Sequence, residues 1–156
     1  MRENMKTLVI VNPTAGGGRA KRDWEFIRQK LAKCFGPYET QWTHGPNTAS
    51  LLAKEAIHYE RLVVVGGDGT INEVVNGLMQ SKSVTSKDLP ELAIFPVATG
   101  GDFSRTLGLH RRLLTDAYAR SSPIPIDVGQ ATYTTASGEQ ETRYFLNISS
   151  FGCSGR

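Results

Sequence analysis

Along the first two thirds of the chain, short dense apolar runs alternate with longer stretches in which apolar residues recur at helical spacing. Residues 7–11 form an apolar, β-branched run closed by Asn12-Pro13 and read as a strand, whereas 19–35 carry Trp24, Ile27 and Leu31 at helical intervals. The alternation repeats. A strand is predicted over 37–43, a helix over 47–58 through Leu51, Leu52, Ala56 and Ile57, a strand over 62–65 and a helix over 70–79. Residues 92–95 read as a strand ended by Pro96, and 102–107 and 113–120 as short helices. Strands alternating with helices predict an α/β fold, a doubly wound and mostly parallel sheet covered on both faces.

Past Pro123 the pattern changes to hairpin logic. Strands are predicted over 124–128, 131–135 and 144–149, with a Ser137-Gly138 turn between the last two. The expected division is an α/β domain over 1–122 and, over 123–156, the first strands of a β-rich second domain that Arg156 leaves incomplete. A lone hairpin is marginal in water, so such strands call for a covering partner. The polar stretch 80–88 reads as the most mobile loop.

Composition narrows the classes. At 156 residues, 39% of them hydrophobic, the chain can bury one good core but not two full domains. Its apolar runs are far shorter than the roughly 20 residues a membrane helix needs. The N-terminus lacks a signal-peptide layout, so cytoplasmic residence is the expectation, with peripheral attachment to a membrane surface open. Cys34 and Cys153 show no CxxC spacing and read as free thiols. A net charge of +3 suits anionic ligands but is no nucleic-acid footprint.

Two glycine-rich loops each join a strand to a helix: Asn12-Pro13-Thr14-Ala15-Gly16-Gly17-Gly18 and Gly66-Gly67-Asp68-Gly69-Thr70. Glycines at that junction let backbone N–H groups approach a phosphate, and the helix dipole favours its charge. The plainer reading is two tight turns. There is no GxxxxGK[ST] lysine, and no GxGxxG follows the first strand. Asp68 would repel a bare polyphosphate among those amides unless magnesium stood between them, since that ion takes a carboxylate or two with phosphate oxygens and water. Its plainer role is a turn residue. Thr70-Ile71-Asn72-Glu73 fits a capping box, which would leave Glu73 as a helix cap.

Gly66 to Thr70, continuing as Ile71-Asn72-Glu73-Val74-Val75-Asn76-Gly77, resembles the signature of the diacylglycerol kinase catalytic domain, shared with sphingosine, ceramide and bacterial lipid kinases. Val11-Asn12-Pro13 with its glycines, Thr43, and the segment from Phe95 to Gly108 agree in order and spacing. The resemblance implies an ATP-binding domain and a β-rich acceptor domain, with ATP and Mg2+ as ligands and a lipid hydroxyl at a membrane surface as acceptor. It carries over Asn12, Pro13, Thr14, Ala15, Gly16, Thr43, Gly66, Gly67, Asp68, Gly69, Thr70, Ile71, Asn72 and Thr99 as nucleotide contacts. Asp68 carries over as the residue governing magnesium and phosphate. The general base is expected beyond Arg156, so the fragment alone is expected to be inactive; a homo-oligomer is compatible with the sequence.

One departure from the family pattern stands at Ala98-Thr99-Gly100-Gly101-Asp102-Phe103, where Gly-Thr-Gly-Asn-Asp-Phe is usual. Ala98 adds a Cβ and Gly101 removes an amide; one lost hydrogen bond to a charged group costs about 1.5–3 kcal/mol, which weakens a site without erasing it. Arg19, Lys21 and Arg22 could face phosphates or solvent, and Arg105 could hold a phosphate or pair with Asp102; His44, His58 and His110 lack ligand spacing and read as surface or packing residues. Trp24 and Phe26 read as core and boundary residues. The alternatives to a lipid kinase are an NAD kinase-like soluble small-molecule kinase and a non-catalytic nucleotide-binding module.

Overall fold

A computed structural model describes residues 5–81, 89–97 and 121–146. Four parallel strands, β1 (Thr7–Val11), β2 (Glu39–Trp42), β3 (Arg61–Gly66) and β4 (Glu91–Pro96), form one sheet in the order β2-β1-β3-β4. β1 and β3 are buried along their whole length, which is why they read as unbroken apolar runs. Val9 stands opposite Thr40 on one side and Val63 on the other, and Val63 opposite Ala93.

Side chains alternate between the two faces and build two cores. On one face Val9, Val11, Val63, Val65 and Phe95 meet Ala20 of α1 (Ala15–Arg22) and Ile27, Leu31 and Phe35 of α2 (Trp24–Phe35). On the other, Leu8, Ile10, Leu62, Val64 and Ile94 meet Ala49 and Ala53 of α3 (Thr48–Glu55) and Ile71, Val74 and Leu78 of α4 (Asp68–Met79). Each fully buried Val, Leu or Ile contributes about 1.5–3 kcal/mol relative to exposure. The sheet is doubly wound, with helices on both faces.

Helix boundaries depart from the sequence reading at three places. The helix expected over 19–35 is two helices meeting at Asp23, whose φ of −95° and ψ of 13° leave helical geometry. Aspartate is a poor helix former and favours ends, and on either side of the break Ala20 of α1 and Ile27, Leu31 and Phe35 of α2 pack on the same face of the sheet. The helix over 47–58 tightens into a 3-10 turn at Ala56–His58. α4 starts two residues before the expected Thr70. At Gly77 a Cβ would stand 2.1 Å from the Ser50 carbonyl oxygen, so only glycine permits α3 and α4 to lie this close.

Among the described residues the β-rich end holds two strands, and residues 147–149 of the strand expected over 144–149 lie outside them. Residues 124–128 form no strand: Pro123 and Pro125 remove alternate donors along one edge, and Ile124 is 82% exposed. β5 (Gly129–Thr134) and β6 (Gln140–Phe145) make an antiparallel hairpin around Gly138 at φ 85°. β6 begins four residues before the expected 144 because its polar half pairs through side chains rather than through apolar alternation, Thr132 with Thr142 at 3.1 Å and the Tyr133 hydroxyl donating to Glu141 at 3.0 Å. The helices expected over 102–107 and 113–120, most of the loop over 80–88, and Arg105, His110 and Cys153 lie outside the described residues. Cys34 is half-buried and packs against the core under α2. Among the described residues no helix is long and apolar enough to cross a membrane.

Candidate nucleotide site

The strand order reverses direction at β1, whose neighbours are β2 on one side and β3 on the other, and ligands in such sheets sit outside the carboxyl ends at that switch. Here the parallel ladder extends one residue past each strand and fixes where the loops begin. The Thr43 N–H donates to the Val11 carbonyl, that of Asn12 to Val65, and that of Val97 to Gly66, each at 2.9 Å.

Asn12 ties the two glycine loops together. Its Oδ1 accepts from the Thr14 N–H at 3.0 Å and the Thr14 hydroxyl at 2.8 Å, an Asx turn, while its Nδ2 donates to Thr70 Oγ1 at 2.9 Å. Beyond it Gly16, Gly17 and Gly18 take successive positive φ values of 63°, 69° and 83°. Arg19 folds back so that its Nε donates to the Gly16 carbonyl at 2.9 Å. This guanidinium braces the loop, whereas Lys21 and Arg22 are exposed. Trp24 packs edge-on against Trp42, and Phe26 sits at the boundary with 57% exposure, as their sequence contexts suggested.

The second loop is the head of α4. Gly67 precedes the helix in extended conformation, no side-chain hydrogen bond caps it among the described residues, and Asp68 lies half-buried in the first turn. The first N–H groups of a helix lack partners within it, so the head of α4 offers donors and the positive end of its dipole.

Between these loops and the one after β2 lies an open cavity of about 750 Å³, lined by Asn12 to Gly16, Thr43 to Pro46, Ala49, Gly67, Gly69, Thr70 and Glu73. That size is within the usual range for ligand pockets, roughly 300–1,000 Å³. Residues 6–131 match the diacylglycerol kinase catalytic domain. The chain belongs to this family. Among curated relatives it is 34% identical over 149 residues to a diacylglycerol kinase of Bacillus subtilis, covering 92% of this chain and 45% of that protein. It is 30% identical to one of Staphylococcus carnosus, covering 92% and 44% respectively. A crystal structure of a diacylglycerol kinase from Bacillus anthracis superposes with a TM-score of 0.71 at 32% identity, over 92% of this chain and 46% of that one. The chain thus spans a little under half the length of the relatives it matches.

Of the residues carried over from the family, Asn12, Pro13, Thr14, Ala15, Gly16, Thr43, Gly67, Gly69 and Thr70 line the cavity together. Gly66 lies buried beneath them, where a Cβ would come within 2.7 Å of Thr70 Cβ. Ile71 is a core residue at 1% exposure, Asn72 is exposed away from the cavity, and Asp68 stands beside the lining rather than in it. Thr99 lies outside the described residues.

The structure adds His44, Gly45, Pro46, Ala49 and Glu73 to the wall. Glu73 corrects the capping-box expectation: its Oε2 accepts from the Ala49 N–H at 3.2 Å, so it serves the start of α3 and not its own helix. Because α4 begins at Asp68, Thr70 is already helical and cannot be the cap. The available signal was the Gly45-Pro46-Asn47 turn, where Asn47 at φ 62° is the one non-glycine with positive φ among the described residues.

Proposed function

We propose that this chain is the nucleotide-binding portion of an ATP-dependent lipid kinase, which transfers the γ-phosphoryl group to a lipid hydroxyl such as that of diacylglycerol or a sphingoid base. The observation that carries the reading is the convergence of both glycine loops, tied by Asn12, on one cavity at the β1–β3 switch. In this reading Asn12 to Gly16 and the head of α4 bind the phosphates through backbone N–H groups, and Thr43 with the loop after it borders the rest of the nucleotide. Residues 123–156 begin the acceptor domain, and the acceptor is met at a membrane surface.

The donor set suits magnesium held chiefly by phosphate and water. Asp68 is the carboxylate in the first turn of α4, and no group of three or more His, Cys, Asp or Glu gathers into a protein cage among the described residues. When bound, magnesium supplies positive charge against the phosphate oxygens in an in-line transfer. The chain's own task is orientation: the glycines allow close approach of the amides, and Asn12 holds the two loops in fixed relation. Charge stabilised by preset dipoles needs no reorganisation during the reaction.

Calorimetric titration with ATP and with NAD, each with and without magnesium, tests this. ATP is expected to bind in a magnesium-dependent manner and NAD not at all, with Asp68→Ala weakening ATP by roughly 10- to 100-fold. NAD binding in its place would turn the reading toward a soluble small-molecule kinase, and an ATP affinity indifferent to Asp68→Ala would point to a non-catalytic module.

A further inference from the structure

Asn76 is a polar side chain in the buried interior of α4, 3% exposed, with no place in the cavity wall. Asparagine is a poor helix former, and a buried amide must find partners or destabilise the fold. Its partners are unusual in their distance along the chain. Oδ1 accepts from the Tyr144 N–H at 2.9 Å, and Nδ2 donates to the Tyr144 carbonyl at 2.8 Å, across 68 positions of sequence. The remaining amide hydrogen goes to the Asn72 carbonyl at 2.9 Å.

The side-chain amide therefore presents a donor and an acceptor to one strand residue, as a neighbouring strand would. Bonded and non-bonded pairs alternate in an antiparallel ladder. Thr135 and Glu139 are bonded, the Thr135 N–H donating at 2.8 Å, and the Gln130–Tyr144 pair is an odd number of steps away. Tyr144 accordingly turns its N–H and C=O outward from β5, toward Asn76. Leu146, just past β6, packs against the core between the sheet and α3 and α4. Without such anchorage a two-stranded hairpin is marginal.

α4 is thus gripped at both ends of its working length. Its head forms the cavity wall, Glu73 holds the start of α3, and Asn76, about 12 Å along the axis from Asp68, holds β6. We propose that Asn76 is a positioning residue that couples the head of α4 to the hairpin, so that the loop at Gly67 and Gly69 and the strand at Tyr144 move as one body. The functional meaning of the coupling rests on the cavity being the nucleotide site.

Hydrogen exchange resolved by NMR on the whole chain tests the coupling, first without ligand. Asn76→Asp keeps an acceptor for the Tyr144 N–H but sets oxygen against the Tyr144 carbonyl. Tyr144→Pro removes the donor from the strand side and leaves α4 untouched. Both are expected to speed exchange at the Ile71, Asn72 and Glu73 amides, the first in α4 with helical hydrogen bonds, by roughly three- to tenfold, with β1 and β3 unchanged. Unchanged exchange at the head of α4 would reduce Asn76 to a local staple and overturn the proposal. If Asn76→Asp loses protection in β1 and β3, Tyr144→Pro decides alone. In the second arm, saturating ATP with magnesium should slow exchange at Tyr144 and Leu146 in the unaltered chain and not at Leu146 in Tyr144→Pro, since coupling between sites is reciprocal. Absence of ATP binding by calorimetry would sink the nucleotide reading only, and the ligand-free comparison would still judge the coupling.

Discussion

The two glycine loops use the same residue for opposite reasons. In the first, Gly17 and Gly18 have open space where a Cβ would go, and glycine is required by positive φ alone. In the second, Gly66 has an ordinary φ and no space, because Thr70 occupies the position its Cβ would need. Gly17 and Gly18 depend on backbone conformation and Gly66 on close packing under the head of a helix, while Gly16 answers to both, with φ 63° and a Cβ position 2.8 Å from the Val97 carbonyl oxygen. A glycine count treats them as equivalent, yet they should fail differently under substitution.

The largest effect is expected at Gly66. Gly66→Ala should lower stability by about 2–3 kcal/mol in urea unfolding, and Thr70→Gly in the same chain should recover part of that loss, a coupling measurable in a double-mutant cycle. Additive losses would mean that the obstruction lies elsewhere. Gly17→Ala should cost less, about 1–2 kcal/mol, and Gly17→Asn less again, because asparagine tolerates the left-handed region. Equal losses for Ala and Asn would show that side-chain size rather than φ governs that loop.

The smallest effect lies outside both loops. Glu25 on α2 is held to a pKa of about 2, chiefly by its hydrogen bonds with Arg28 at 2.7 and 3.1 Å and then by Gln29 at 2.9 Å. Its folded pKa lies below the ordinary carboxylate value of 4.5, so its contribution to stability is present above that value and is lost as pH falls toward 2. The group is fully exposed, so solvent screening keeps the contribution small. An NMR titration should show Arg28→Ala returning the Glu25 carboxyl toward 4.5 while the loops' amide shifts stay unchanged.

The parts legible in the sequence were those whose cause is local. β1 and β3 announce themselves because both faces are buried, and the glycine loops because strand, glycines and helix are contiguous. The true start of β6 was hidden, since it depends on what the segment pairs with, and the local signal at Asp23 was masked by apolar spacing that continues across it. His44 and Glu73 reach the cavity only because β2 and α3 flank β1 and α4, a matter of strand order that no window of sequence contains. The same holds for Asn76, whose place in a helical run gives no sign of a strand 68 positions away.

The pairing of Trp24 with Trp42 has a practical consequence. The chain contains two tryptophans, their rings stand 4.9 Å apart, and Trp42 immediately precedes the cavity residue Thr43. All indole emission therefore originates from one pair packed on the α2 side of the sheet, one residue along the chain from the cavity wall, so a change in emission on adding ligand would report on the end of β2 without an attached dye.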